Sequence, residues 1–200
     1  IMAGGKNAIL NTKEGVEDNY EEGARSMMRL KPTKKDVVIG VSASGMTQFV
    51  RGALTCARGA GARIIFVTCD PRTELQSFVD LTIAPAVGPE VIAGSTRLKA
   101  GTATKLVLNT LTTSVLIGKT YGNLMVDVRT GSDKLRDRAR RMVHIVTGLE
   151  IEATDALLKR AHWNVKAAIV MQKTGLPYQK ALSRLRKTHD RLRDAIGEDI

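Results

Sequence analysis

The chain has 200 residues, 43% of them hydrophobic, with 31 Lys and Arg against 20 Asp and Glu for a net charge of +11. That length can bury a sizeable core, as one full domain with an appendage or as two small domains, and the composition excludes wholesale disorder. No apolar run approaches the roughly 18 residues of a spanning helix, no signal peptide opens the chain, and Cys56 and Cys69 stand alone. A membrane span, a disulfide scaffold and a metal site are therefore not expected, and the cytoplasm is the expected compartment.

The opening Ile1-Met2-Ala3-Gly4-Gly5 reads as the end of a buried strand and its turn, so the chain is expected to begin inside a longer one. Lys6 to Thr12 and Tyr20 to Leu30 follow as helices, the second broken by Lys31-Pro32-Thr33. Asp36 to Val41 is a short continuous apolar run, the pattern of a strand buried on both faces. A Ser/Gly loop leads into a helix from about Gln48 to Arg58, closed by Gly59-Ala60-Gly61. Arg63 to Thr68 and Leu81 to Pro85 read as further strands, with a short helix from Thr73 to Phe78 between them. Strand, loop, helix and strand at this spacing predict parallel βαβ units with right-handed crossovers.

A long helix is predicted from about Ser95 to Leu116, with an apolar stripe from Leu98 through Leu116. Beyond Gly122-Asn123 the strand pattern ends. A basic helix from Lys134 to Ile145 precedes three helical segments near 150–160, 164–173 and 177–195. No internal repeat or low-complexity tract is evident. The basic excess is interleaved with acids throughout, and Trp 1, Tyr 3 and Phe 3 are poor material for base stacking. A solvated helical face explains the charge better than a nucleic-acid groove, and a preference for anionic small substrates is a third reading.

Three places could carry chemistry. Gly40-Val-Ser-Ala-Ser-Gly-Met-Thr47 lies between a strand and a helix, where ligands collect in open α/β sheets and a helix N-terminus favours an anion. Ser42, Ser44 and Thr47 offer hydroxyls there and Gly45 permits close backbone approach; an N-cap with a tight turn would need only one of those hydroxyls. The absence of a Walker lysine argues against nucleotide hydrolysis. The second place is Gly88 to Lys105, containing Glu90, with Ser95 and Thr96 able to cap a helix and Arg97 and Lys99 able to neutralise an anion. Capping alone explains its hydroxyls equally well. The third is Glu14-Gly15-Val16-Glu17-Asp18, which fits acid/base work or simply the acidic start of a helix. His144, His162 and His189 have no metal-ligand spacing, and no local base supports Cys69 as a nucleophile.

The segment Gly88-Pro-Glu-Val-Ile-Ala-Gly-Ser-Thr-Arg-Leu-Lys-Ala-Gly-Thr-Ala-Thr-Lys-Leu-Val-Leu-Asn109 resembles the signature shared by N-acetylmuramic acid 6-phosphate etherases and the glucokinase regulatory protein. Gly122 to Val128, Lys134 to Arg140, Glu14 to Asp18 and Val165 to Met171 resemble the etherase branch. The resemblance implies an α/β fold: a three-layer α/β/α sandwich with a parallel sheet, the sugar-isomerase (SIS) domain, N-terminally incomplete over residues 1–130. It also implies a linking helix at 131–147 and a small ubiquitin-associated-like helical bundle at 148–200.

Its implied activity is that of a carbon–oxygen lyase in peptidoglycan recycling. N-acetylmuramic acid 6-phosphate and water would become N-acetylglucosamine 6-phosphate and D-lactate, with no cofactor or metal. The partners implied are a phosphorylated amino sugar and a second copy of the chain, with no nucleic acid or membrane.

By position, Glu17 matches the family's acid/base glutamate and Glu14 a sugar-contacting one. Ser42, Ser44, Gly45 and Thr47 match the phosphate loop, and Glu90, Ser95, Thr96, Arg97 and Lys99 belong to the signature loop expected to contact substrate. Two departures stand out. Met46 and Gln48 replace the family's usual Arg and Pro, and the family's first phosphate loop and its other catalytic glutamate would precede Ile1. The chain alone is accordingly expected to lack turnover. A non-catalytic phosphosugar-binding regulator is the alternative, and it would keep Ser42, Ser44 and the Gly88 loop without needing Glu17. A basic nucleic-acid-binding helical module stands third.

Overall fold

The computed structural model describes residues 1–198, in two compact units, Ile1–Leu111 and Thr112–Ile200. The last two positions of the bundle expected at 148–200 lie outside the described residues. The first unit is an α/β fold of the SIS type. Its sheet has three parallel strands, β1 (Val37–Val41), β2 (Arg63–Val67) and β3 (Leu81–Ile83), in that spatial order. Val38 pairs with Ile64 and Gly40 with Phe66, and these four face α2 (Gln48–Gly59). Ile64, Phe66, Ala53, Leu54 and Ala57 are buried together there, with Met27 of α1 (Tyr20–Met28).

Close approach of two helices sets this layer. A Cβ on Gly23 of α1 would stand 1.9 Å from the Phe49 carbonyl oxygen, and one on Gly52 of α2 would stand 1.9 Å from that of Tyr20. Only glycine allows the two backbones to touch in this way. At the start of α1, Asn19 Oδ1 accepts from the Glu22 N–H at 2.9 Å, with Glu21 and Glu22 in the first turn where the dipole favours them.

Several elements differ from the sequence expectation. The helix predicted over Lys6 to Thr12 is a single 3-10 turn, Lys6–Ile9, because it buries no residue and Ile9 and Leu10 stay exposed. Strand β1 is not buried on both faces. It lies at the sheet edge, and Val37, Ile39 and Val41, which alternate away from α2, are 58%, 40% and 39% exposed. A continuous apolar run cannot distinguish a covered face from an uncovered one. Helix α3 (Lys99–Ile117) starts later than Ser95, and the residue capping it is Glu90.

The second unit packs α4 (Asp133–Thr147), α5 (Ile151–Arg160), α6 (Val165–Thr174), α7 (Tyr178–Lys187) and α8 (Leu192–Ile196) around Val143, Leu158, Ile169, Val170 and Ala195. Ser132 caps α4 through the Leu135 N–H, and Asn164 caps α6 through the Ala167 N–H. Lys166 Nζ is buried, 3.1 Å from Asp127 Oδ2 and donating to the Asp190 carbonyl at 3.3 Å. The single helix expected over 177–195 is two helices, broken at Thr188 to Arg191.

That break exposes an internal repeat the sequence reading missed. One constant shift carries Thr147-Gly148-Leu149 onto Thr174-Gly175-Leu176, Leu158 onto Leu185, His162 onto His189, and Ala168-Ile169 onto Ala195-Ile196. The hydrogen bonds move with it. Thr147 Oγ1 donates to Val143 O and accepts from the Leu149 N–H; Thr174 Oγ1 does the same with Val170 O and the Leu176 N–H. His162 and His189 both sit in left-handed backbone just past a helix end, at φ 50 and 52. The next residue's N–H reaches back to Leu158 O and Leu185 O respectively, each at 2.8 Å, closing a Schellman motif twice over. Few side chains are identical between the copies, so the backbone shows the duplication more clearly than the letters do.

Candidate functional site

The loop from Ser42 to Thr47 leaves the carboxyl end of β1 and enters α2. It is held from below by the end of β2 and the loop after it: the Ser42 N–H donates to Val67 O, the Cys69 N–H to Ala43 O, and Thr73 Oγ1 to Gly45 O at 2.9 Å. Gly45 has φ +74, and a Cβ there would lie 2.7 Å from Thr73 Cβ, so both conformation and space require glycine. Thr47 occupies the N-cap of α2, yet its side chain caps nothing. Its Oγ1 lies 2.8 Å from Ser42 Oγ instead. The N–H groups of Gln48, Phe49 and Val50 receive no acceptor from the described residues, and the first turn of α2 has no acidic residue. The result is an open, positively polarised helix end.

A cavity of about 320 Å³ opens at that end. Ser44, Gly45 and Thr47 of the sequence candidates line it, and so do Met46, Gln48, Arg51, Asp70, Arg72 and Glu74. Ser42 is buried behind the loop, where it positions Thr47. Arg51 and Arg72 escaped the sequence reading because a basic residue on an amphipathic helix or a turn looks like ordinary solvated surface. The missing acid in the first turn of α2 was the available signal.

The other candidates lie elsewhere in the first unit. Glu14, Glu17 and Asp18 are exposed, the last two within the 3-10 turn Val16–Asp18, which packs against α2. None of them lines the cavity. In the Gly88 loop, Glu90 caps α3: Oε2 accepts from the Lys99 N–H at 3.0 Å and Oε1 from the Ala100 N–H at 3.1 Å. The Lys99 N–H bond chiefly holds the Glu90 carboxyl below the usual carboxylate range, against the opposing effect of burial. Lys99 Nζ donates to Pro89 O at 2.8 Å. Ser95 Oγ accepts from the Arg97 N–H at 3.2 Å in a local turn, and so neither Ser95 nor Thr96 caps the helix by its hydroxyl. Ser95 is half-buried, and Thr96 and Arg97 are exposed. Among the described residues no group of three or more His, Cys, Asp or Glu could hold a metal ion, and no helix is long and apolar enough to cross a membrane.

Residues 1–58 match the family of the glucokinase regulatory protein N-terminal SIS domain. Over its whole length the chain is 45% identical to an N-acetylmuramic acid 6-phosphate etherase of Alkaliphilus metalliredigens, covering 67% of that protein. N-acetylmuramic acid 6-phosphate etherase 2 of Vibrio cholerae is 46% identical over 99% of the chain and 65% of its own length. An etherase of Thermosynechococcus vestitus is 49% identical over 86% of the chain and 56% of its own length. The chain thus spans about two thirds, or less, of the length of the relatives it matches.

Proposed function

The chain belongs to the N-acetylmuramic acid 6-phosphate etherase family, and from that membership we propose that it serves the lyase reaction named by its relatives. Its substrate would be a phosphorylated amino sugar carrying a lactyl ether. The observation that carries this reading is the cavity at the uncapped end of α2, lined by Ser44, Gly45 and Thr47. Free N–H groups, a helix dipole and two hydroxyls at one point suit a phosphate monoester, which is anionic and accepts several hydrogen bonds.

The chemistry assigned to the family needs two proton transfers. Removal of the proton alpha to the open-chain aldehyde forms a carbon–carbon double bond as the ether oxygen departs from the beta carbon. That oxygen takes a proton and leaves as D-lactate, and water then adds across the double bond. Glu17 is assigned one of these transfers, with Glu14 contacting the sugar. Glu90 would support the signature loop by capping α3, while Ser95, Thr96, Arg97 and Lys99 would complete the sugar site. On this reading residues 1–130 act as the phosphosugar-binding SIS domain, 131–147 as a linking helix and 148–200 as a ubiquitin-associated-like bundle. The working form would be a cytoplasmic homodimer.

The regulator alternative has less support. The regulatory-protein family matches residues 1–58, whereas the Alkaliphilus metalliredigens etherase aligns across 100% of the chain. The deciding experiment follows D-lactate from N-acetylmuramic acid 6-phosphate, with this chain alone and with the chain joined behind the upstream third of the Alkaliphilus metalliredigens relative. Lactate from the joined protein is the expected result. Tight sugar-phosphate binding without lactate from either protein would favour the regulator.

A further inference from the structure

The phosphate loop carries Met46, 75% exposed at the cavity, where the resemblance leads one to expect an arginine. The loop from Ser42 to Thr47 therefore offers a seated phosphate no side-chain cation of its own. A different arginine stands within reach of the same cavity.

Arg51 lies one turn along α2 from Thr47, on the same side of the helix, and lines the cavity with Ser44 and Thr47. It makes no ion pair among the described residues, although Asp70 and Glu74 line the same cavity. Arg72, the other cavity arginine, is tied to Asp70: its Nε is 3.5 Å from Asp70 Oδ1, which also accepts the Arg72 N–H at 3.0 Å. Position adds a second argument. A cation near a helix N-terminus opposes the dipole, and here the first turn carries no acidic residue to offset it. An unpaired arginine beside an uncapped N-terminus is a local surplus of positive charge that an anion in the cavity would neutralise.

We infer that Arg51 supplies the phosphate-binding charge that Met46 does not, making it a specificity-determining residue for the phosphorylated form of the sugar. On this reading the charge sits on the wall of the cavity, one turn along α2 from Thr47. The inference rests on the phosphosugar reading of the site, and its test separates the two.

Calorimetric titration of this chain with N-acetylglucosamine 6-phosphate and with unphosphorylated N-acetylglucosamine provides that test. The unaltered chain should prefer the phosphorylated sugar, and a chain with no such preference would overturn the phosphosugar reading together with this inference. Arg51→Met keeps much of the side-chain bulk and removes the charge. It should weaken binding of the phosphorylated sugar about tenfold or more, leave the unphosphorylated one unchanged, and flatten the salt dependence. Its thermal midpoint should equal or exceed that of the unaltered chain, since a charge opposed to the dipole is gone, so lost binding cannot be ascribed to unfolding. Adding Met46→Arg to Arg51→Met should restore most of the affinity. Unchanged phosphate-sugar affinity in Arg51→Met, or a loss that Met46→Arg fails to repair, would overturn the inference.

Discussion

Ser42 Oγ and Thr47 Oγ1 lie 2.8 Å apart, and this contact diverts the hydroxyl that stands at the N-cap of α2 away from capping it. The pair closes the loop on itself from the buried side and leaves the helix end open on the cavity side. The two hydroxyls therefore hold the loop's shape, and only Thr47 of the pair lines the cavity.

Ser42 and Ser44 should consequently respond differently to truncation. Ser44→Ala removes a hydroxyl from the cavity wall and should weaken phosphosugar binding about tenfold or more while leaving the melting temperature nearly unchanged. Ser42→Ala breaks the buried contact and should lower stability by about 1 kcal/mol, with a smaller loss of affinity because Ser42 lies behind the loop and does not line the cavity. Calorimetric titration beside thermal melts of the two variants reads both effects. Equal melting temperatures for the two would contradict the distinction.

If Glu17 carries a proton transfer, as proposed, Glu17→Gln should reduce D-lactate release by about two to four orders of magnitude in an active protein and leave sugar-phosphate affinity nearly intact. The substitution keeps size and hydrogen bonding and removes only the titratable proton. Steady-state kinetics beside equilibrium binding separate the two effects. Undiminished turnover would reduce the Glu14 to Asp18 cluster to a helix-start feature.

The sequence located β1, β2 and α2 to within a residue or two, since short apolar runs and an amphipathic helix are read from neighbouring letters. It failed where the deciding partner lies elsewhere in the chain. Glu90 caps a helix whose first residue is Lys99, and a hydroxyl pair beside the helix start, Ser95-Thr96, looked like the more natural cap. The break between α7 and α8 has no glycine or proline to announce it, because His189 takes the left-handed position itself. The cavity loop was visible through Ser44, Gly45 and Thr47, whereas Arg51 needed the helix to place it beside them.

The Glu90 cap makes the start of α3 sensitive to acid. Two backbone N–H bonds favour the carboxylate, so the folded pKa lies below the value in the unfolded chain. A depressed carboxyl pKa contributes stability that is fully present above the unfolded value, about 4.3, and lost as pH falls through the lower folded value. Hydrogen exchange at the Lys99 and Ala100 amides should therefore lose protection in that acid window, after correction for the pH dependence of intrinsic exchange. Glu90→Gln should make the protection independent of pH there. Protection in the unaltered chain that stays constant through the window would remove the cap from the account.

The duplicated Schellman turns offer a comparison within one molecule. Both place a histidine where left-handed backbone favours glycine, His162 at φ 50 and His189 at φ 52. A non-glycine residue there costs roughly 1–2 kcal/mol of strain, and glycine gives back up to about 1 kcal/mol through the greater entropy of the unfolded chain. The net effect of a bare exchange is then a stabilisation of about 0.5–1 kcal/mol. The two histidines differ in what else they touch. The His162 ring lies 4.8 Å from that of Tyr178, a contact worth about 0.5–1.5 kcal/mol, while His189 has no such ring partner among the described residues. His189→Gly should therefore stabilise the chain, and His162→Gly should be neutral or mildly destabilising. Adding Tyr178→Leu should remove the difference between the two exchanges, because the ring contact that separates them is gone. Denaturant unfolding of the singles and the two doubles measures this directly, and a His189→Gly variant less stable than its parent would mean that the histidine side chain, not the backbone, sets the energy of the turn.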